Sequence, residues 1–212
     1  MQRITQKRVI PVIVIDKVAD AVPMAEALIK GGLDLLEVTF RTAAAEGAIR
    51  EILKRFPDVL IGAGTLLTVE QVKRARDAGA KFGVAPGINE KIVLQAKAEG
   101  MPFVPGVMTP SDVEKGLELG CRLLKFFPAE SAGGVKMLQA LAGPYGHTGV
   151  KFIPLGGISA ANVAAYFALP IVGAVGGTWI AEKQLIANHQ WDEITRRAAD
   201  VLKAAATPAP GK

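Results

Sequence analysis

The chain has 212 residues, long enough for one barrel-sized domain, with a mild net charge of +5 and 50% hydrophobic residues. Its basic residues are scattered, as in Lys73-Arg74-Ala75-Arg76, and no aromatics interleave with them, which argues against a nucleic-acid surface. A single cysteine, Cys121, excludes an intrachain disulfide and suits a reducing, cytoplasmic setting; no apolar run approaches the ~20 residues of a membrane span, and no signal peptide is expected.

In chain order, short β-branched or apolar runs alternate with longer amphipathic segments. Arg8–Ile15 reads as the first strand, with a helix over Asp20–Lys30. Leu35–Arg41 is the second strand, and its helix, Ala44–Phe56, stops before Pro57. Leu60–Thr65 is the third, followed by a helix over Val69–Ala78 that Gly79 ends. Lys81–Pro86 and Pro102–Met108 are strands four and five, separated by the helix Glu90–Glu99. The helix Ser111–Leu119 closes at Gly120. Arg122–Phe127 is strand six, before the helix Val135–Leu141. Val150–Leu155 is strand seven, with a helix over Ala160–Ala168, and Ile171–Val175 is strand eight. A last helix covers Trp191–Ala205, and Thr207–Lys212 reads as a disordered tail.

Eight strand–helix repeats imply a parallel sheet covered by helices, and eight can close into an α/β fold of the (β/α)8 (TIM) barrel type. A single domain over residues 1–206 is expected. Almost nothing precedes the first strand, so little is expected to close the barrel bottom. An open doubly wound sheet is the rival, but the residues after strand one, IDKVAD, lack its glycine-rich turn.

Barrel chemistry sits at the C-terminal strand ends. In strand two, period-two alternation puts Leu35, Glu37, Thr39 and Arg41 on one face, and Leu36, Val38 and Phe40 on the other. The apolar set should meet the helices, so Glu37 and Arg41 should point inward. In strand six, Leu124 and Phe126 suit the helix side, leaving Leu123, Lys125 and Phe127 inward. A lysine among four bulky apolar neighbours is poorly solvated, which lowers its pKa and frees a neutral amine to attack a carbonyl. The same lysine could instead serve only to ion-pair with Glu37. Three inward polar groups in one small barrel favour chemistry: Lys125 to form an iminium, Glu37 to move protons, Arg41 to grip a carboxylate in two hydrogen bonds. Together they ask for an α-keto acid. Thr65 could touch the same carboxylate or simply line the barrel.

Strands seven and eight are followed by Gly156-Gly157 and Gly176-Gly177-Thr178. Glycine pairs here can bring backbone N–H groups to a phosphate, though tight turns use glycine as well. Gly133-Gly134 reads more simply as a helix entry. His147 and His189 form no ligand spacing, so no metal is expected, and no Ser–His or Cys–His pair is evident.

The segments PVIVID, LEVTFRT, IGAGTLLT, APGIN, PGVMTPSD, KFFPAE, GGVKMLQALAGPY, PLGGIS and GGTW span about residues 9–180. In this order they resemble the class I 2-keto-3-deoxy-6-phosphogluconate (KDPG) aldolases, which also act as 4-hydroxy-2-oxoglutarate (KHG) aldolases. The resemblance implies a Schiff-base Lys125, an acid/base Glu37, a carboxylate-binding Arg41 and a further pyruvate contact at Thr65. It implies pocket walls at Pro86 and Phe127, and phosphate contacts at Gly156, Gly157, Gly176, Gly177 and Thr178. It further implies a homotrimer that needs no cofactor. One departure stands out: similar family members read PTGG where this chain reads Pro154-Leu155-Gly156-Gly157. Leu155 replaces a hydroxyl that the resemblance ties to preference at the substrate's C4, so relaxed C4 selectivity or a different acceptor aldehyde is expected. Two rivals remain on the residues: a barrel that only binds a phosphorylated ligand or scaffolds an assembly, and a phosphate-binding isomerase or synthase without a Schiff base.

Overall fold

The computed structural model describes residues 1–206; the predicted tail, Thr207–Lys212, lies outside the described residues. The elements are α1 (Gln2–Lys7), β1 (Val9–Ile13), α2 (Ala21–Lys30), β2 (Leu35–Thr39), α3 (Ala45–Arg55), β3 (Leu60–Gly64) and α4 (Val69–Asp77). Next come β4 (Phe82–Val84), α5 (Glu90–Ala98), β5 (Phe103–Val104), β6 (Gly106–Val107), α6 (Pro110–Glu118) and β7 (Leu123–Phe126). The chain continues through α7 (Gly134–Tyr145), β8 (Lys151–Pro154), α8 (Val163–Phe167), β9 (Val175–Gly177), α9 (Lys183–Ala187) and α10 (Trp191–Ala206). No described helix is long and apolar enough to cross a membrane.

Local chemistry explains many of the boundaries. Thr68 and Thr109 cap α4 and α6 with reciprocal side-chain bonds to Gln71 and Asp112, and Asn89 caps α5. Gly79 and Gly120 follow α4 and α6 with φ of 102° and 80°, values that carry little cost without a β-carbon.

All strand pairs are parallel, as the βα repeats require, but they do not form one eight-stranded sheet. A curled six-stranded sheet runs β5-β4-β3-β2-β1-β9, and a three-stranded sheet runs β6-β7-β8. The predicted fifth strand is split between them at Pro105. Proline has no N–H for the ladder, and its carbonyl accepts from Lys125 N–H on the β7 side at 2.9 Å. The predicted eighth strand is also displaced: Val172 makes only an isolated bridge to Phe152, and the ordered strand starts at Val175.

The two faces of these sheets separate two cores. Leu36, Val38, Ile61, Ala63, Leu124 and Phe126 join the large cluster shared with the helices. Ile10, Leu35, Phe82, Val84, Val104, Leu123 and Ile153 form a smaller cluster on the concave side. Period-two alternation therefore sorted the strand faces correctly in β2 and β7. The expectation of an open bottom needs correction. Gln2–Lys7 is a helix whose fully buried Ile4 enters the concave cluster, and Arg3 and Lys7 pair with Asp34 at 2.6 and 2.9 Å. Ile4 and these two ion pairs seat the short helix.

Candidate active site

Glu37 and Lys125 continue the concave face upward from Leu35 and Leu123, two residues earlier in each strand. Glu37 lies level with Val12 of β1 and Gly62 of β3, while Lys125 lies level with Gly106 of β6 and Ile153 of β8. Both are buried, at 1% and 5% exposure.

Burial pushes the Glu37 carboxyl above the usual range, with Lys125 and Arg41 pulling it part of the way back. Burial likewise pushes the Lys125 ammonium down; Glu37 opposes that shift and Arg41 adds to it. Each residue is thus near enough to alter the other's proton affinity. Yet no ion pair within 4.0 Å joins them among the described residues, and Glu37 Oε1 has no hydrogen-bond partner. Two buried polar groups that existed only to neutralise each other would be expected in contact, because an unpaired buried carboxylate oxygen is costly. Lys125 Nζ also lies over the Phe127 ring, 4.9 Å from its centre.

Arg41 departs from its predicted place. Strand β2 ends at Thr39, and Arg41 is exposed in the turn beyond it, with Nε donating to Thr39 Oγ1 at 3.4 Å. It stands at the mouth of the site, with its charge felt by Glu37 and Lys125. Once the ladder ends, alternation no longer dictates direction. Thr39 itself is buried, donating to Ile13 O at 3.0 Å.

Thr65 follows β3 with φ of 59°, an uncommon conformation for a β-branched residue and one that clusters at functional sites. Pro86 follows β4 and is half-buried, as is Phe127. Leu155 is buried on the concave side, where its Cδ1 would stand 2.5 Å from a β-carbon at Gly176.

The glycine pairs divide. Gly156 and Gly157 form a turn with φ of 105° and 79°, and Gly157 is exposed. That is the backbone expected of an anion-accepting turn. Gly176 and Gly177, expected in a loop, are instead buried residues of β9. Their lack of a side chain serves packing: a β-carbon at Gly177 would lie 1.6 Å from the Trp179 ring, and one at Gly176 would strike Leu155. Thr178, just past β9, is exposed.

Periodicity passed over one residue of the site altogether. A β-carbon at Gly64 would stand 1.9 Å from Glu37 Oε1, so only glycine leaves room for the carboxylate there. No local pattern marks it, since GAGT reads equally well as an ordinary strand end.

Comparison with known proteins follows the same lines. The model of the family described as KDPG and KHG aldolase matches residues 1–197. A 2-dehydro-3-deoxy-phosphogluconate aldolase of Haemophilus influenzae is 45% identical over 95% of this chain and 94% of its own. A KHG/KDPG aldolase of Escherichia coli is 43% identical over 95% and 94%. The crystal structure of a KDPG aldolase from Legionella pneumophila, with pyruvate captured at low pH as a covalent carbinolamine intermediate, superposes with a TM-score of 0.91. It is 42% identical, over 94% of this chain and 97% of that one. Match of model, sequence and shape over nearly the whole length makes this chain a member of the KDPG and KHG aldolase family.

Proposed function

We propose that the chain is a class I aldolase that forms a Schiff base on Lys125. It reversibly cleaves KDPG to pyruvate and glyceraldehyde 3-phosphate, and KHG to pyruvate and glyoxylate. The observation that carries this reading is a buried, depressed-pKa lysine beside a buried, raised-pKa glutamate with no ion pair between them.

In cleavage, the neutral Lys125 amine adds to C2 of the keto acid, and the carbinolamine loses its hydroxyl as water to leave an iminium. A base takes the C4 hydroxyl proton, the C3–C4 bond breaks, and its electron pair passes into the iminium to give an enamine. C4 departs as an aldehyde. The enamine regains a proton at C3, and water then releases pyruvate and the free amine. Glu37 moves these protons, because a carboxyl with a raised pKa both gives and takes them. Arg41 at the mouth holds the pyruvyl carboxylate with Thr65, and Pro86, Phe127 and Leu155 wall the pocket. The phosphate of KDPG rests at the Gly156–Gly157 turn and Thr178, with Gly176 and Gly177 shaping the floor beneath.

The two sheets form arcs of one (β/α)8 barrel over residues 1–206, a reading supported by the Phe152–Val172 bridge and by β5 and β6 flanking one proline. A homotrimer is what membership of the family implies, and light scattering tests it. The unpaired, half-buried Cys121 suits a cytoplasmic setting.

Borohydride reduction in the presence of pyruvate tests the chemistry. Intact mass should rise by one reduced pyruvyl group that maps to Lys125. A wild-type protein without the adduct refutes the Schiff base, and an adduct that persists in Lys125→Ala moves the nucleophile elsewhere.

A further inference from the structure

Glu130 lies five residues past Lys125, in the loop that leads from β7 into α7. That loop is laced to the turn after β8. Ala129 N–H donates to Leu155 O at 2.8 Å, and Glu130 N–H donates to Gly156 O at 3.0 Å. The two segments also pack so closely that neither glycine has room for a side chain. A β-carbon at Gly157 would meet Glu130 Cβ and Cγ at 2.7 Å, and one at Gly156 would lie 3.2 Å from Pro128 Cα.

A second lacing comes from the other side. Asn162, just ahead of α8, accepts Ser159 N–H at 2.9 Å and donates to Gly157 O at 3.2 Å. Helix α8 then carries Tyr166, fully buried, whose hydroxyl donates to Glu130 Oε1. Burial and the Glu130 carboxylate both push the phenol well above its ordinary pKa, so it stays a donor. The Gly156–Gly157 turn is therefore held between the loop that follows Lys125 and the helix that follows the turn. The bond between Glu130 and Tyr166 closes that ring of contacts.

We propose that the Glu130–Tyr166 hydrogen bond is a positioning device for phosphorylated substrates, fixing the Gly156–Gly157 turn relative to the strand that carries Lys125. The inference rests on the reading of that turn as the phosphate site. Two glycines at positive φ have no side chains to anchor them, so their N–H groups stay aimed at an anion only if the surroundings hold them. A carboxylate beside such a turn repels an anion, so the direction it takes matters, and the phenol holds Glu130 Oε1 beside Gly134 at the start of α7. Binding energy from the remote phosphate aligns the keto group with Lys125 only when the two loops keep their spacing. Tyr166 and Glu130 are positioning residues, since they act through the turn and not on the reacting atoms.

The test compares kcat/KM for KDPG, which carries phosphate, and KHG, which does not, in full-length wild type, Tyr166→Phe, Glu130→Ala and Glu130→Gln. Tyr166→Phe keeps the buried ring and removes only the hydroxyl. It should lower kcat/KM for KDPG by roughly three- to tenfold, the size of one lost hydrogen bond, mainly through KM. KHG cleavage and borohydride trapping with pyruvate should hold within about twofold. Glu130→Ala should behave alike, with circular dichroism reporting an unchanged fold, while Glu130→Gln, still an acceptor, should restore most of the KDPG rate. An equal loss on both substrates, or no loss on either, overturns the proposal while leaving the phosphate site intact. A wild type in which inorganic phosphate fails to compete with KDPG removes the phosphate site itself, and the proposal with it.

Discussion

Gly64 and Glu37 occupy one space across β2 and β3: a β-carbon on the glycine would stand 1.9 Å from the carboxylate oxygen Oε1 and 2.6 Å from Cδ. The glutamate's place in the site thus depends on a residue with no chemistry of its own. Gly64→Ala should drive the carboxylate out of line and lower kcat by roughly 10²-fold or more, the scale of a lost acid/base. Trapping of pyruvate on Lys125 should continue, and circular dichroism should report an unchanged fold. A variant with full kcat would mean that Glu37 has other room, and so is not held by this contact.

The proton affinity of Lys125 is the balance of burial and two charged neighbours, and each neighbour can be removed. Burial depresses it below the ordinary lysine range, Glu37 raises it and Arg41 depresses it. The rise of adduct formation with pH follows loss of the ammonium proton. Glu37→Gln deletes an attraction to the charged form, so the limb should move to lower pH. Arg41→Gln deletes a repulsion, so the limb should move to higher pH. Trapping rates against pH measure both shifts, and a common direction would refute the electrostatic picture.

Two buried charges with shifted pKa values reduce stability. The Glu37 carboxyl titrates above its unfolded value, so the native state loses stability as pH rises from the unfolded to the folded pKa. The Lys125 ammonium titrates below its unfolded value, so stability is lost as pH falls from the unfolded to the folded pKa. Replacing both, as Glu37→Leu with Lys125→Met, should stabilise the inactive protein by about 1–4 kcal/mol near neutral pH. The gain should narrow as pH drops below the raised Glu37 pKa and as it climbs above the lowered Lys125 pKa. Denaturant midpoints across pH check this, and a less stable double variant would show that the pair supports the fold.

Leu155 fills the space over Gly176, at the position where the resemblance to the aldolases implies a hydroxyl. Leu155→Thr should sharpen discrimination between C4 epimers of the substrate by ~1–3 kcal/mol, the cost of leaving one substrate hydroxyl unpaired. The ratio of kcat/KM for the two epimers measures it, and an unchanged ratio rejects a role for Leu155 in that choice.

The faces of the strands that carry Glu37 and Lys125 were legible in the residues themselves. Leu35 and Glu37, like Leu123 and Lys125, fall on one face because a strand's side chains alternate by backbone geometry alone, and the structure puts both leucines in the concave cluster. Helix ends at Gly79 and Gly120 were readable for an equally local reason: positive φ costs glycine little. Tertiary structure decided the rest. Arg41 lies past the last ladder bond, where alternation gives no direction. Gly176 and Gly177 read as a loop but are buried in β9 under Leu155 and Trp179. Gly64 matters because β3 curls against β2, and Glu130 finds Tyr166 36 residues away. These facts depend on how a sheet bends and which loops meet above it. Such approaches are set by the packing of the whole chain and leave no mark in the period of any one segment.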